Sequence, residues 1–239
     1  MANYQELDPV KFYDKISSKY EFTLDSIPEN SHIRNEVRKY FLKNVSGKFV
    51  LDFGGGTGED LLWLAEKGFS VYFCEPSSGM RKIAIDKLRR IKLEAEIVFL
   101  NEINANFHKW NKSDHPFKNK VDGILANFAV FNSIKDLKKL SAKLALITDK
   151  NCKLIILVLD VNVKRFFSRN LPVIIKLFLN GYGLATEIKD GNDRMVVYLH
   201  TRSNIIKSFR KYFDYIENFR VQKSTFRVFY FIRNEKEVV

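Results

Sequence analysis

The stretch Val50-Leu51-Asp52-Phe53-Gly54-Gly55-Gly56-Thr57-Gly58-Glu59-Asp60 limits the choice of fold more than any other part of the chain. An apolar run over 48–53 stops in a glycine-dense turn. Leu61, Leu62, Leu64 and Ala65 then recur at helical spacing, with Glu66 and Lys67 polar and Gly68 as a stop. This pattern predicts strand, tight loop and helix, the opening unit of an open α/β sheet. Loops of this kind lie at the carboxyl end of a strand, where the architecture places its ligands. Glycine there lets the backbone take positive φ and lets a ligand approach without meeting a Cβ.

The alternation continues downstream. Strands are expected at 70–74, 96–100, 123–127 and 153–160, and helices at 80–91 and 134–148, with 104–120 as loop plus a short helix. Repeated β and α units at this spacing imply a doubly wound, mainly parallel sheet with helices on both faces. Two amphipathic helices precede it, at 9–20 (Val10, Phe12, Tyr13, Ile16, Tyr20) and 29–43 (Ile33, Val37, Tyr40, Phe41). They lie outside the repeat and either cover the mouth of a site or pad the sheet. The regularity stops after Asp160. Residues 161–195 read as an irregular, lid-like insertion rich in Phe and Leu, with Lys164, Arg165, Arg169 and Lys176 interleaved. A short strand at 196–199 and a helix at 201–213 follow. Residues 215–221 and 225–233 alternate around Gln222-Lys223-Ser224, predicting an antiparallel hairpin at one edge of the sheet. The expected organisation is one domain over 1–239: a helical cap (1–47), a core (48–160), the insertion (161–195) and C-terminal strands completing the sheet (196–239).

Composition narrows the partners. With 40 Lys and Arg against 28 Asp and Glu, the net charge is +12. Such a balance serves a nucleic acid or an anionic membrane surface, or reflects a general compositional bias. The basic residues are spread out, with no run of five or six, which favours the bias. Cys74 and Cys152 each sit in or beside an apolar run, so buried free thiols in a reducing compartment are expected. The polar start, with Glu6, Asp8 and Asp14, does not read as a signal peptide. The apolar stretch 171–179 is broken by Lys176 and is too short to span a bilayer. A soluble, cytoplasmic protein is the expectation.

The ligand of the glycine loop follows from its spacing. A dinucleotide turn needs G-x-G-x-x-G, and here Glu59 occupies the position of the third glycine. A P-loop is excluded because no Gly-Lys-Ser/Thr closes the turn. Asp52, just before the loop, suits an ammonium group better than a pyrophosphate.

With Asp52 followed by Gly54, Gly56 and Gly58, the stretch resembles motif I of class I S-adenosylmethionine-dependent methyltransferases. Glu75, at the end of the next strand, stands where that family places the acid that binds both ribose hydroxyls. Pro76-Ser77-Ser78-Gly79-Met80 resembles the loop that follows it, which brings Pro76 and Met80 to the cofactor. Asn101 or Glu102, ending strand three, resembles the residue that contacts the adenine amino group. Val121 to Phe128 resembles motif IV, whose Asn127 lies beside the methionine part, but it lacks the two prolines of base-methylating enzymes. Phe12-Tyr13-Asp14 and Lys19-Tyr20-Glu21 resemble the tyrosine-bearing start of small-molecule members, adding Tyr20 to the cofactor set. The resemblance covers roughly residues 10–160 and, more loosely, the final hairpin.

It implies a Rossmann-like sheet of seven strands, S-adenosyl-L-methionine as cofactor and S-adenosyl-L-homocysteine as product. The reaction implied is an in-line displacement on a small, lipophilic or aromatic acceptor. Alternatives are an RNA or protein methyltransferase using the basic surface, or a non-catalytic protein keeping the cofactor pocket. His200 is the first candidate base, because histidine as a residue type titrates near neutrality, with Tyr198 beside it and His32 next. His108 and His115 read as surface residues. No zinc-type spacing occurs, so a metal-independent reaction is expected. Phe166, Phe167, Leu171, Ile174, Leu177 and Phe178 are candidates for an apolar lid, or for a helix packed on the sheet.

Overall fold

Strands that are apolar on both faces belong inside a sheet covered by helices on both sides. Ser70–Cys74, buried at every position, is such a strand. The computed structural model describes residues 4–91, 95–160 and 164–238, without the side chains of Asp25 and residues 164–170. In chain order the elements are β1 (Gln5–Glu6), α1 (Pro9–Asp25), α2 (Pro28–Asn44), β2 (Phe49–Phe53), α3 (Glu59–Glu66), β3 (Ser70–Cys74), α4 (Ser78–Arg89) and β4 (Ile97–Phe99). They continue with β5 (Val121–Ala126), α5 (Leu137–Leu146), β6 (Thr148–Leu159), α6 (Lys164–Leu179), β7 (Ala185–Asp190), β8 (Asp193–Tyr198), α7 (Arg202–Phe209), β9 (Phe213–Arg220) and β10 (Phe226–Arg233).

The main sheet is 7-stranded, in the order β4-β3-β2-β5-β6-β10-β9. Strands β2 to β6 are parallel, and β10 runs antiparallel to both β6 and β9. Chain order reverses between β2 and β5, and that switch opens a crevice at the carboxyl ends of the two strands. Alternate side chains serve two cores. On one face Leu51, Ile124 and Ile156 pack under α5 and α7 through Leu140, Leu144 and Phe209. On the other, Val50, Phe73 and Leu125 pack under α2, α3 and α4 through Val37, Phe41, Leu61 and Ala84. Phe41 has no exposed surface, and truncating such a side chain to alanine costs about 3–5 kcal/mol.

Helix α1 starts on Asp8, whose side chain accepts from the Lys11 N–H at 3.1 Å, with Pro9 in the first turn. It crosses to α4 and to a second, 3-stranded sheet, β1-β8-β7, where Phe12 packs on Met195 and Val197. This small sheet corrects the expectation for 161–195. The segment contains a helix and most of a hairpin, and the expected boundary at 195 falls inside β8. Asp190-Gly191-Asn192 makes the turn, with Gly191 at φ 55°. The two-residue loop is Gly191-Asn192, since Asp190 pairs with Asp193, and a Gly-Asn pair is a legible hairpin signal; the weakly alternating Thr186-Glu187-Ile188-Lys189 before it hid the strands. Residues 196–198 therefore belong to the small sheet and do not complete the main one. Residues 161–163, and the side chains of Arg165, Phe166, Phe167 and Arg169, lie outside the described residues.

Candidate functional site

The crevice opens into a cavity of about 950 Å³ walled by the glycine loop, the ends of β2, β3 and β5, and α1 as a roof. The loop is pinned by Gly54 N–H donating to the Cys74 carbonyl at 2.7 Å and Gly58 N–H donating to Gly55 at 3.0 Å. Gly56 has φ +56°, and a Cβ there would meet nothing nearer than Tyr20 at 3.9 Å. Its open side is therefore space for a ligand against bare backbone. Gly54 and Gly56 are on the cavity wall. Gly58 lies behind it, capping α3 in the left-handed region with Ala84 pressed close.

Glu75 is held on the wall at both carboxylate oxygens. Its Oε2 accepts from Gly56 N–H at 2.9 Å and its Oε1 from Ser77 N–H at 2.8 Å. Burial raises its pKa to about 7, against the lowering effect of those two donors and of Arg81. Arg81 also donates to the Glu75 carbonyl at 2.5 Å. Each carboxylate oxygen retains a free lone pair, so the group can accept two further hydrogen bonds. Pro76 and Met80 line the wall beside it.

Asp52 is placed differently from the expectation. It is 1% exposed and sits beneath the loop, off the cavity wall, with Oδ2 lacking a hydrogen-bond partner among the described residues. Burial, then the charges of Asp60 and Glu75, push its pKa well above the carboxylate range, opposed by Arg34. The acid that reaches the wall there is Asp60. It accepts from Trp63 Nε1 and from Asn127 Nδ2, both at 2.9 Å. Arg34 of α2 stands on the same wall with its guanidinium 4.4 Å from the Phe128 ring centroid. Asn127 Oδ1 accepts from Phe128 N–H at 2.9 Å, opening a turn in which Phe128 and Ala129 both have positive φ, 48° and 62°. Such non-glycine conformations cost about 1–3 kcal/mol each and persist only where the surroundings impose them. Here they turn Phe128 onto Arg34.

The roof comes from α1. Tyr13 and Tyr20 line the cavity and meet edge to face at 5.8 Å. Burial lifts the Tyr13 phenol to about 12, aided by the Glu75 charge and offset by a Ser133 hydrogen bond. Burial also raises Tyr20, so both phenols are neutral at pH 7. Asp14 fastens the helix. Its Oδ1 accepts from Ser77 Oγ at 2.6 Å and Gly79 N–H at 2.9 Å, joining the start of α4, whose N-cap is Ser77, to another helix. Lys87 of α4 adds bonds to Glu21 and Glu59.

Glu102 lines the cavity, whereas Asn101 is exposed, off the wall, and accepts from its neighbour Asn104 N–H at 2.9 Å. Of the two alternatives for the strand-end position, only Glu102 faces the cavity. Tyr198 lines it too. His200 does not, which corrects its candidacy as base. Its Nε2 faces the carbonyls of Ile134 at 2.9 Å and Phe131 at 3.2 Å. Carbonyls only accept, so that nitrogen carries hydrogen and the ring ties the loop after β8 to the loop before α5. His108, expected at the surface, is exposed but lines the rim. Burial and then Lys139 and Lys143 lower its pKa, leaving a neutral imidazole. Asp14, Arg34, Asp60 and His108 had no distinguishing sequence signal beyond the Tyr13-Asp14 pair, because chain crossings place them.

The methyltransferase-domain family model matches residues 29–212. An uncharacterized methyltransferase of Anoxybacillus flavithermus is 33% identical over 94 residues, 39% of this chain and 38% of the relative. The uncharacterized methyltransferase YrrT of Bacillus subtilis is 40% identical over 76 residues, 32% of this chain and 29% of that protein. The matches thus span well under half the length of these curated relatives. Among solved structures, a SAM-dependent methyltransferase from Methanosarcina mazei superposes with a TM-score of 0.65 at 16% identity, covering 82% of this chain and 98% of that one. The N-methyltransferase NodS from Bradyrhizobium japonicum, in complex with S-adenosyl-L-homocysteine, superposes with a TM-score of 0.66 at 10% identity, covering 96% and 100%. These two likenesses are of fold.

Proposed function

The chain belongs to the methyltransferase-domain family, and from that premise we propose that it moves a methyl group from S-adenosylmethionine to a small acceptor with a lipophilic or aromatic body. The bounded cavity of about 950 Å³ under α1 carries this reading. Its size suits two small molecules side by side, near the upper end for such sites. Its lining mixes aromatic side chains (Tyr13, Phe53, Phe107, Phe128) with more carboxylates than cations. A groove tracking an RNA strand would be uniformly basic.

The residues present fit the cofactor. Glu75 offers two acceptor positions beside Gly56, which matches a vicinal diol. Asp60 and Arg34, opposite in charge on one wall, match an ammonium and a carboxylate. Glu102 and the neighbouring Asn106 suit the adenine amino group, and Tyr20 closes over the loop. When bound, the cofactor supplies a sulfonium-activated methyl group for in-line displacement. The chain's own part is alignment and exclusion of water, worth up to about 7–11 kcal/mol in model systems. Tyr13 and Tyr198, their pKa values raised by burial, act as hydrogen-bond donors that orient the acceptor. A proton leaving the acceptor goes to His108, whose neutral imidazole stands on the rim.

Calorimetry with S-adenosylmethionine and S-adenosylhomocysteine tests the cofactor, and transfer of a labelled methyl group to a panel of small aromatic and lipophilic acceptors tests the substrate class. Failure to bind either ligand at millimolar concentration refutes the first part. Transfer confined to RNA or protein refutes the second.

A further inference from the structure

Helix α6 has more apolar surface than the hairpin beneath it covers. Leu177 is buried against Ala185 and Val196, and Ile174 against Leu199. Leu171, Ile175, Phe178 and Leu179 are instead 41%, 51%, 63% and 79% exposed. Their spacing sets them on one stripe of the helix, away from the packed side. None of them lines the cavity. Single exposed apolar residues are ordinary, but a contiguous stripe marks a contact surface.

Charge indicates what the stripe meets. The α6 sequence carries Lys164, Arg165, Arg169 and Lys176 and no acidic residue. The acids of the supporting hairpin are all engaged: Glu187 pairs with Arg194 and Lys189, Asp190 with Lys19, and Asp193 with Lys15. Beside the apolar stripe, then, Lys176 adds an exposed positive charge that makes no ion pair among the described residues.

We propose that α6 docks the protein on the surface of a bilayer containing anionic phospholipid. The stripe Leu171, Ile175, Phe178 and Leu179 enters the interfacial layer while Lys176, exposed on the same helix, meets the headgroups, the arrangement of a surface-lying amphipathic helix. Contact is superficial, since among the described residues no helix is long and apolar enough to cross a membrane. A second copy of the chain is a poorer occupant, because two such helices would oppose like charges. A nucleic acid would engage the cations but leave the apolar stripe in water. The hairpin beneath α6 also bears Tyr198 on the cavity wall, so one layer of structure separates the docked helix from the cavity.

Vesicle flotation of the full chain tests the proposal. The protein is expected to float with vesicles of equimolar phosphatidylcholine and phosphatidylglycerol, and not with phosphatidylcholine alone. Lys176→Gln weakens binding about fivefold, the effect of one cation near such a surface. The double variant Phe178→Ser/Leu179→Ser abolishes flotation while keeping the wild-type melting temperature, since both side chains are exposed. Phe178→Trp gives an independent readout: the emission of the introduced indole shifts to the blue on adding the mixed vesicles. No flotation with anionic vesicles refutes the proposal. So does flotation that survives the double variant while the Phe178→Trp variant shows no emission shift, which would be diffuse attraction by the +12 chain. A wild-type dimer that the double variant makes monomeric also refutes it, and assigns the stripe to a second copy.

Discussion

Glu75 offers the sharpest test of the site. In the ligand-free protein burial lifts its pKa to about 7, so near neutral pH it is about half ionised. Gly56 and Ser77 N–H groups hold one oxygen each, at 2.9 and 2.8 Å, leaving two acceptor positions toward the cavity. Hydrogen bonds to a charged group contribute about 1.5–3 kcal/mol each. Losing two therefore costs at least about 3 kcal/mol, roughly a hundredfold in affinity. Glu75→Ala should weaken S-adenosylhomocysteine by that factor in calorimetry. Because only the ionised form accepts both bonds, wild-type affinity should follow the ionised fraction, rising about tenfold between pH 6 and pH 8. The stability effect has the opposite sign. The folded pKa lies above the ordinary value of 4.5, so the folded state holds the proton more tightly, and ligand-free stability falls as pH rises from about 4.5 to about 7. A wild-type affinity flat from pH 6 to pH 8, or a folded Glu75→Ala variant binding within about threefold of wild type, would refute the assignment.

Three further outcomes are expected. Gly55→Ala places a Cβ 2.2 Å from Phe73 Cε2 and 2.6 Å from Asp52 Oδ2; such overpacking costs about 1–3 kcal/mol, and an unchanged thermal midpoint would contradict it. Asp14→Ala leaves the Ser77 N-cap of α4 in place but removes the second acceptor at that helix start, the carboxylate held by Ser77 Oγ and Gly79 N–H, at a cost of about 1 kcal/mol. Burial raises the Asp14 pKa, but the bonds from Ser77, Gly79 and Ser78 outweigh it and hold the carboxyl below its ordinary value. Its contribution is therefore fully present above the usual carboxylate range and lost as pH falls through the lowered pKa, so thermal melts should show a smaller deficit for the variant at pH 3 than at pH 7. His200→Asn should lower stability but leave turnover per folded molecule unchanged, whereas His108→Asn should slow transfer to an acceptor that must lose a proton. Burial lowers the His200 pKa, so wild-type stability should decline as pH drops below about 6.5, the ordinary value for histidine; turnover that collapses in His200→Asn and survives in His108→Asn would reverse the two roles.

Much of the core was legible because its signals are local. Strand β3 was expected at the residues it occupies, Ser70–Cys74, since a parallel strand buried on both faces is continuously apolar. The final hairpin alternated clearly. The small sheet was not legible: β1 is only Gln5–Glu6, exposed at both positions, and exists because β8 lies alongside it. His200 and His108 show the same limit at the site. His200 follows the apolar run 196–199 and His108 lies in a mixed polar and aromatic stretch, and only the path of the chain decides which imidazole meets the cavity and which meets two carbonyls.

The glycine loop, Glu75 at the next strand end and the alternation of strands and helices could be read from the sequence, because short-range sterics and hydrophobic period dictate them. Long-range packing set Asp52 beneath the loop while Asp60 and Arg34 reach the wall, joined Asp14 of α1 to the start of α4, and left an apolar stripe of α6 in solvent. Those outcomes depend on which surfaces distant segments bury against one another. No periodicity within a segment records what will lie across from it.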